Sequence, residues 1–163
     1  MGYFTEYQGS IRIHPPLNSA EAAYHERFID TRRMHRHSGP YSTPAEQPLW
    51  IPDADVINDS EPPAGQPGLS CQWAVGSDGR ELSWNHRSRF YSGGPWIRYL
   101  IDTFWRPGCA LQSELAARFE GRDYAPEFDE FTFDHVLNGE IEVTEEDGTS
   151  WLIKVVDNVV SET

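Results

Sequence analysis

A chain of 163 residues with a net charge of −13 is sized for one domain, able to bury roughly two-thirds of its unfolded surface without help from a metal or disulfide. Its carboxylate excess repels phosphates, which argues against direct, sequence-independent binding of nucleic acid. No apolar run approaches the roughly 18 residues a membrane span requires, and the opening Met1-Gly2-Tyr3-Phe4-Thr5-Glu6 lacks the basic and apolar regions of an export signal. A cytoplasmic protein with no membrane partner is therefore expected. Cys71 and Cys109 form no Cys-x-x-Cys pair, which favours the same reducing setting.

In chain order, Tyr7, Gly9, Ile11 and Ile13 alternate with polar residues, the period of a half-buried strand, and Pro15-Pro16 ends it. Asn18 and Glu21 have capping-box spacing, so a helix is expected from there to about Met34, with Ala20, Tyr24, Phe28 and Thr31 inward and Glu21, His25 and Arg32 outward. Residues 35–68 hold seven of the twelve prolines and no regular period. A connection of this length is a functional or a mobile loop; Trp50, Ile51, Val56 and Ile57 predict that it docks partly on the core. Leu69, Cys71, Trp73 and Val75 then alternate as a strand, Gly76-Ser77-Asp78-Gly79 turns, and Leu82 and Trp84 answer on a second strand.

Gly93-Gly94-Pro95 opens a helix with Pro95 at its first position, and Ile97, Leu100, Ile101 and Phe104 give it one apolar stripe. A short helix is expected over 113–119. The stretch 120–134 interleaves carboxylates with Tyr124, Phe128, Phe131 and Phe133. Leu137, Gly139, Ile141 and Val143 alternate as a strand, Trp151, Ile153 and Val155 return, and Val159-Val160 begins a last short strand. The order strand, helix, strand, strand, helix, strand predicts a single α+β domain over 1–163. Its expected form is an antiparallel sheet with two helices on one face in ferredoxin-like, split βαβ order, plus a C-terminal hairpin. A mixed sheet with a differently threaded edge fits the same pattern.

The segments GYFTEYQGSIRIHPPL, FIDTRRMHR, PPAGQPGLSCQW, WIRYLIDTFWRP, LNGEIEVTEEDG and IKVVDNVV resemble a family of small uncharacterised bacterial and phage-borne proteins, marked by GQPGLxCQW and LNGEI motifs. The resemblance spans most of the chain apart from about 35–60 and 108–135 and implies a shared fold. No activity is established for that family, so it lends no catalytic residue. Other members pass from the second helix to LNGE in a few residues, whereas this chain inserts roughly 25, and an insert on a stock fold is where a special role can lie.

Charge is unevenly placed. Residues 1–112 carry 12 acidic and 10 basic side chains, and residues 113–163 carry 14 and 3. The last third therefore offers a candidate partner-binding surface: Glu120, Asp123, Tyr124, Glu127, Asp129, Glu130 and Asp134 in the 108–135 insert, then Glu140, Glu142, Glu145, Glu146 and Asp147. Closely spaced carboxylates can replace phosphates in a basic groove, so the expected role is a non-enzymatic inhibitor or nucleic-acid mimic, phage- or mobile-element-encoded, acting on a basic protein or nucleoprotein surface. The blander reading is a solvated acidic face that keeps the protein soluble.

The alternative is an enzyme or small-ligand domain with an anion pocket built from Arg32, Arg33, Arg87 and Arg98, since arginine forks fit phosphate and carboxylate. Against it, cations following a helix are also explained by the helix dipole. Glu140 and Glu142 share a strand face at roughly 6 to 7 Å, a separation catalytic carboxylate pairs use, yet such residues commonly face water. His35, His37, His86 and Cys109 lack zinc spacing, so no metal is expected. Nucleophile-elbow, phosphate-loop and dinucleotide motifs are missing, and neither a catalytic residue nor a cofactor is assigned.

Overall fold

A computed structural model describes residues 4–45, 47–48 and 50–163. Met1, Gly2 and Tyr3, on which part of the export-signal reading rests, lie outside the described residues, as do Glu46 and Leu49 of the long connection. The fold is mixed α+β. Its first strand, β1 (Thr5–His14), is central, with Thr5, Tyr7, Ile11 and Ile13 buried and Glu6, Gln8, Arg12 and His14 exposed. That alternation covers one face of the strand with core and leaves the other to water.

The remaining strands of the sheet are β4 (Trp73–Val75), β5 (Glu81–Trp84), β6 (Val136–Glu145), β7 (Ser150–Val156) and β8 (Val159–Glu162). Their order is β4-β5-β1-β6-β7-β8, with every neighbouring pair antiparallel. β1 and β6 pair along their whole length, Tyr7 opposite Val143 and Ile13 opposite Leu137. At Gly9 and Gly139 the backbones come so close that an added Cβ would stand 2.9 Å from the carbonyl oxygen of Glu140 or Ser10. Both glycines have positive φ, so these two positions tolerate little else.

Helix α1 (Ser19–Asp30) begins as the sequence predicts. Asn18 Oδ1 accepts from the Glu21 N–H and Glu21 Oε1 accepts from the Asn18 N–H, both at 2.9 Å. It ends four residues early. Thr31 turns extended, its hydroxyl donating to the Arg27 carbonyl at 2.7 Å, and Arg33 swings into the core over the Phe28 ring. The helix is also buried on more than its apolar stripe: Glu21 and His25, expected outside, are 1% and 4% exposed. His25 Nε2 lies 2.6 Å from the Trp73 carbonyl oxygen on the edge strand β4, and burial lowers its pKa to about 4, so it is neutral there.

The long connection contains two short paired strands, β2 (His35–Arg36) and β3 (Val56–Asn58). Of its expected anchors, Trp50 is 83% exposed and Ile51 and Ile57 are exposed as well, whereas Val56 is half-buried. What docks the segment on the core is Tyr41, 5% exposed against Phe104 and Phe128, and polar contacts hold the rest. Asp55 accepts from the Ser38 N–H and hydroxyl, and Arg36 donates to Asp53 and Asp55. The strand expected from Leu69 is regular only over 73–75, although Cys71 is buried.

Helix α2 (Gly93–Leu100) places Pro95 third rather than first and continues as a π turn over Ile101–Trp105. α3 (Ala110–Ala117) starts three residues before the predicted helix, and a 3₁₀ turn spans Pro126–Glu130. Trp96, Ile97, Leu100, Ile101 and Phe104 join Tyr24 and Phe28 of α1 and the inward residues of the sheet in one hydrophobic core. Cys71 and Cys109 are free and buried in it. No helix among the described residues is long and apolar enough to cross a membrane.

Candidate functional site

The 108–135 segment, expected to be an insert, is held down by its aromatics. Phe128, Phe131 and Phe133 are buried, and the Phe128 and Tyr24 rings meet edge-on with centroids 4.7 Å apart. Docking brings some of its carboxylates onto arginines: Glu127 receives Arg27 at 2.5 Å, Asp129 receives Arg118 at 3.3 Å, and Glu114 pairs with Arg122. The hydrogen bond from Arg27 holds the Glu127 carboxyl below its ordinary range. Glu127 was expected to be displayed, but this partner turns it partly inward. Tyr124 is half-buried beneath the Arg118 guanidinium. Glu120, Asp123, Glu130 and Asp134 stay exposed, Asp123 accepting from the Ser42 hydroxyl at 3.3 Å and Asp134 from Thr132 at 2.5 Å.

The second acidic group lies on the sheet. Glu140 and Glu142 project from its open face, Glu140 within 3.7 Å of Lys154 and Glu142 between Gln8 and Leu152 in register. Glu145, Glu146 and Asp147 form the β6–β7 turn, where the Thr149 N–H bonds to Asp147 at 2.9 Å and keeps that carboxyl low. β6 separates this turn from the insert by roughly 30 Å, taking about 3.3 Å per strand residue. The acidity is thus two surfaces rather than one. Among the described residues, ten of the fourteen carboxylates in 113–163 have no lysine or arginine partner.

The four arginines of the alternative pocket are engaged in different places. Arg32 bonds to the Asp59 carbonyl, Arg33 to the carbonyls of Pro40 and Ser42, Arg87 to Asp30, and Arg98 to the Val160 carbonyl on the sheet edge. The run 32–37 begins directly after the C-cap Thr31 of α1. Arg33 is 4% exposed with its guanidinium 4.0 Å from the Phe28 ring centroid, and burial lowers its pKa.

One constellation was not visible as such in the sequence. Glu21 Oε2 lies 2.6 Å from His135 Nε2, and His135 Nδ1 lies 2.6 Å from the Pro15 carbonyl oxygen, with both side chains essentially sealed from solvent. The Thr132 hydroxyl is 3.2 Å from the same Nε2. Burial alone would lower the His135 pKa; its hydrogen bonds to Glu21 and Pro15 and the Glu21 charge outweigh that and raise it. Although a carboxylate, a histidine and a hydroxyl meet here, both ring nitrogens face acceptors, so the ring serves as a double donor and leaves no lone pair for Thr132. The cluster is a clamp joining the insert to the start of α1. Its sequence signal was Glu21 itself, whose second oxygen the capping box leaves unused.

Two hollows flank the long connection. The larger, about 820 Å³, is lined by Arg32, Arg36, Ile51, Asp53 and Asp59 among others. Another, about 530 Å³, lies between residues 35–41, the π turn and Arg122. Of the four expected anion-binding arginines only Arg32 lines either. His86 packs on Trp84 with centroids 4.4 Å apart, away from both hollows. Among the described residues no three His, Cys, Asp or Glu side chains are grouped to hold a metal ion. No protein-family model, curated protein or solved structure matches the chain.

Proposed function

We propose that this protein is a non-enzymatic interaction module that presents the carboxylates of its last third to a basic, nucleic-acid-binding surface on another macromolecule, as an inhibitor or nucleic-acid mimic of phage or mobile-element type. The observation that carries the reading is the set of carboxylates that have no lysine or arginine partner among the described residues: Glu120, Asp123, Glu130 and Asp134 in an insert pinned by three buried phenylalanines, and Glu142, Glu145, Glu146 and Asp147 on β6 and the turn after it. Rigid mounting lowers the entropy cost of matching a row of cations, and these carboxylates have no lysine or arginine to surrender. The resemblance to small phage-borne proteins supports the same origin. The fold reading accompanies it: the β4-β5-β1-β6 neighbour order and the shared core of both main helices support a split βαβ unit, lengthened by the β7–β8 hairpin.

The test is affinity capture from a host lysate, followed by two variants of the chain. One carries Glu120→Gln, Asp123→Asn, Glu130→Gln and Asp134→Asn; the other carries Glu140→Gln, Glu142→Gln, Glu146→Gln and Asp147→Asn. A basic partner held at low salt, released at about 0.5 M salt where the Debye length falls below roughly 5 Å, and lost in one variant is the expected result. A partner retained equally by both variants refutes the proposal.

A further inference from the structure

The smaller hollow is chemically unlike the rest of the molecule. In a chain of net charge −13 it is lined by Arg36, Arg122, His35 and His37 and by no carboxylate. We propose that it binds a small phosphate monoester, independently of the acidic surfaces. Three features carry this assignment.

The first is Arg36. Its side chain is 8% exposed, and both carboxylates that hold it, Asp53 and Asp55, meet the same nitrogen, Nη1, at 2.9 and 3.4 Å. Neither carboxylate lines the hollow. Nε is buried with no hydrogen-bond partner. A buried donor left unmatched is costly; Arg36 lies in the wall shared by both hollows, and the Nε side of a guanidinium is part of the fork with which arginine grips oxyanions.

Arg122 is arranged in parallel. It too is tied through Nη1, to Glu114, and its stem lies against Gly39, where an added Cβ would stand 2.9 Å from Arg122 Cδ. The missing side chain at Gly39 lets the guanidinium reach the 35–41 segment across the hollow. The third feature is the π turn. An extra residue in a helical turn rotates the side chains around it and is frequent at binding sites; here it brings Thr103, 7% exposed, to the wall beside Tyr99.

Two guanidinium edges, a hydroxyl and two imidazoles outnumber what the two oxygens of a carboxylate can accept but suit the terminal oxygens of a phosphate. A volume of about 530 Å³ exceeds a bare phosphate and leaves room for an organic group against the Tyr99 ring.

The experiment titrates ¹⁵N-labelled protein with inorganic phosphate, AMP, ribose 5-phosphate and acetate at constant ionic strength, with calorimetry in parallel. Saturable binding of at least one organic phosphate, tighter than inorganic phosphate and acetate, with amide shifts centred on Gly39, Thr103 and Arg122, is expected. Thr103→Val and His37→Asn, which leave the buried ion pairs intact, are each expected to weaken it about tenfold, near 1.4 kcal/mol. Equal response to acetate, shifts centred elsewhere, or no saturation below about 10 mM, a limit of roughly −2.7 kcal/mol, overturns the assignment. Preference for inorganic phosphate alone overturns the organic-ester part.

Discussion

Replacing Glu21 with glutamine tests the clamp between α1 and the insert. Glutamine keeps the length and the acceptor that caps the Asn18 N–H, so what is lost is the charge facing His135 at 2.6 Å. A hydrogen bond between charged groups contributes about 1.5–3 kcal/mol. Removing one member of a buried pair outright costs about 3–5 kcal/mol, because the other charge stays buried alone. The glutamine variant falls at the lower figure because His135 can discard its proton and accept from the new amide. The alanine variant loses the cap as well and falls at the higher.

The pH dependence separates the charge from mere packing. The folded-state pKa of His135 is raised above its unfolded value, so the folded protein binds the proton more tightly than the unfolded chain. The stabilisation is fully present below about pH 6.5 and is lost as pH rises through the raised folded value. Urea unfolding of wild type and Glu21→Gln, run across that window, is therefore expected to show the two stability curves converging toward alkaline pH. Parallel curves would show that no proton is linked to the clamp and would refute the ion pair.

Phe128→Ala removes a ring that is 2% exposed and contacts Tyr24, Tyr41 and Phe131. It is expected to cost about 3–5 kcal/mol in chemical denaturation and to increase proteolytic cleavage within 118–134, whereas an unchanged digestion pattern would mean the insert is held elsewhere. Gly93→Ala places a Cβ 2.6 Å from the Tyr7 ring and 3.1 Å from Trp73. Overpacking of that kind costs about 1–3 kcal/mol, to be read as a lowered melting temperature; an unchanged or raised one would show that the rings yield freely.

Much of the scaffold was legible locally. The alternation on β1, β6 and β7, the capping box at Asn18, the Gly76–Gly79 turn and the apolar stripe of α2 are short-range patterns, and each appears where the residues predict it. The candidate surfaces were less so. A row of acidic letters carries no information about which members meet an arginine, and Glu127 and Arg27 are a hundred residues apart.

Local backbone preference and side-chain period pointed by themselves to a mixed α+β chain, and the residue order put its negative charge in the last third; that every strand pair of the main sheet is antiparallel was settled by the tertiary structure. Tertiary packing alone decided that Glu21 and His25 are buried and that Trp50 stands in water. It alone divided the acidity into two surfaces and brought Arg36 and Arg122 to the wall of one hollow. The physical reason is that burial and charge pairing depend on which distant segments share space, and a residue's own neighbours in the chain do not carry that information.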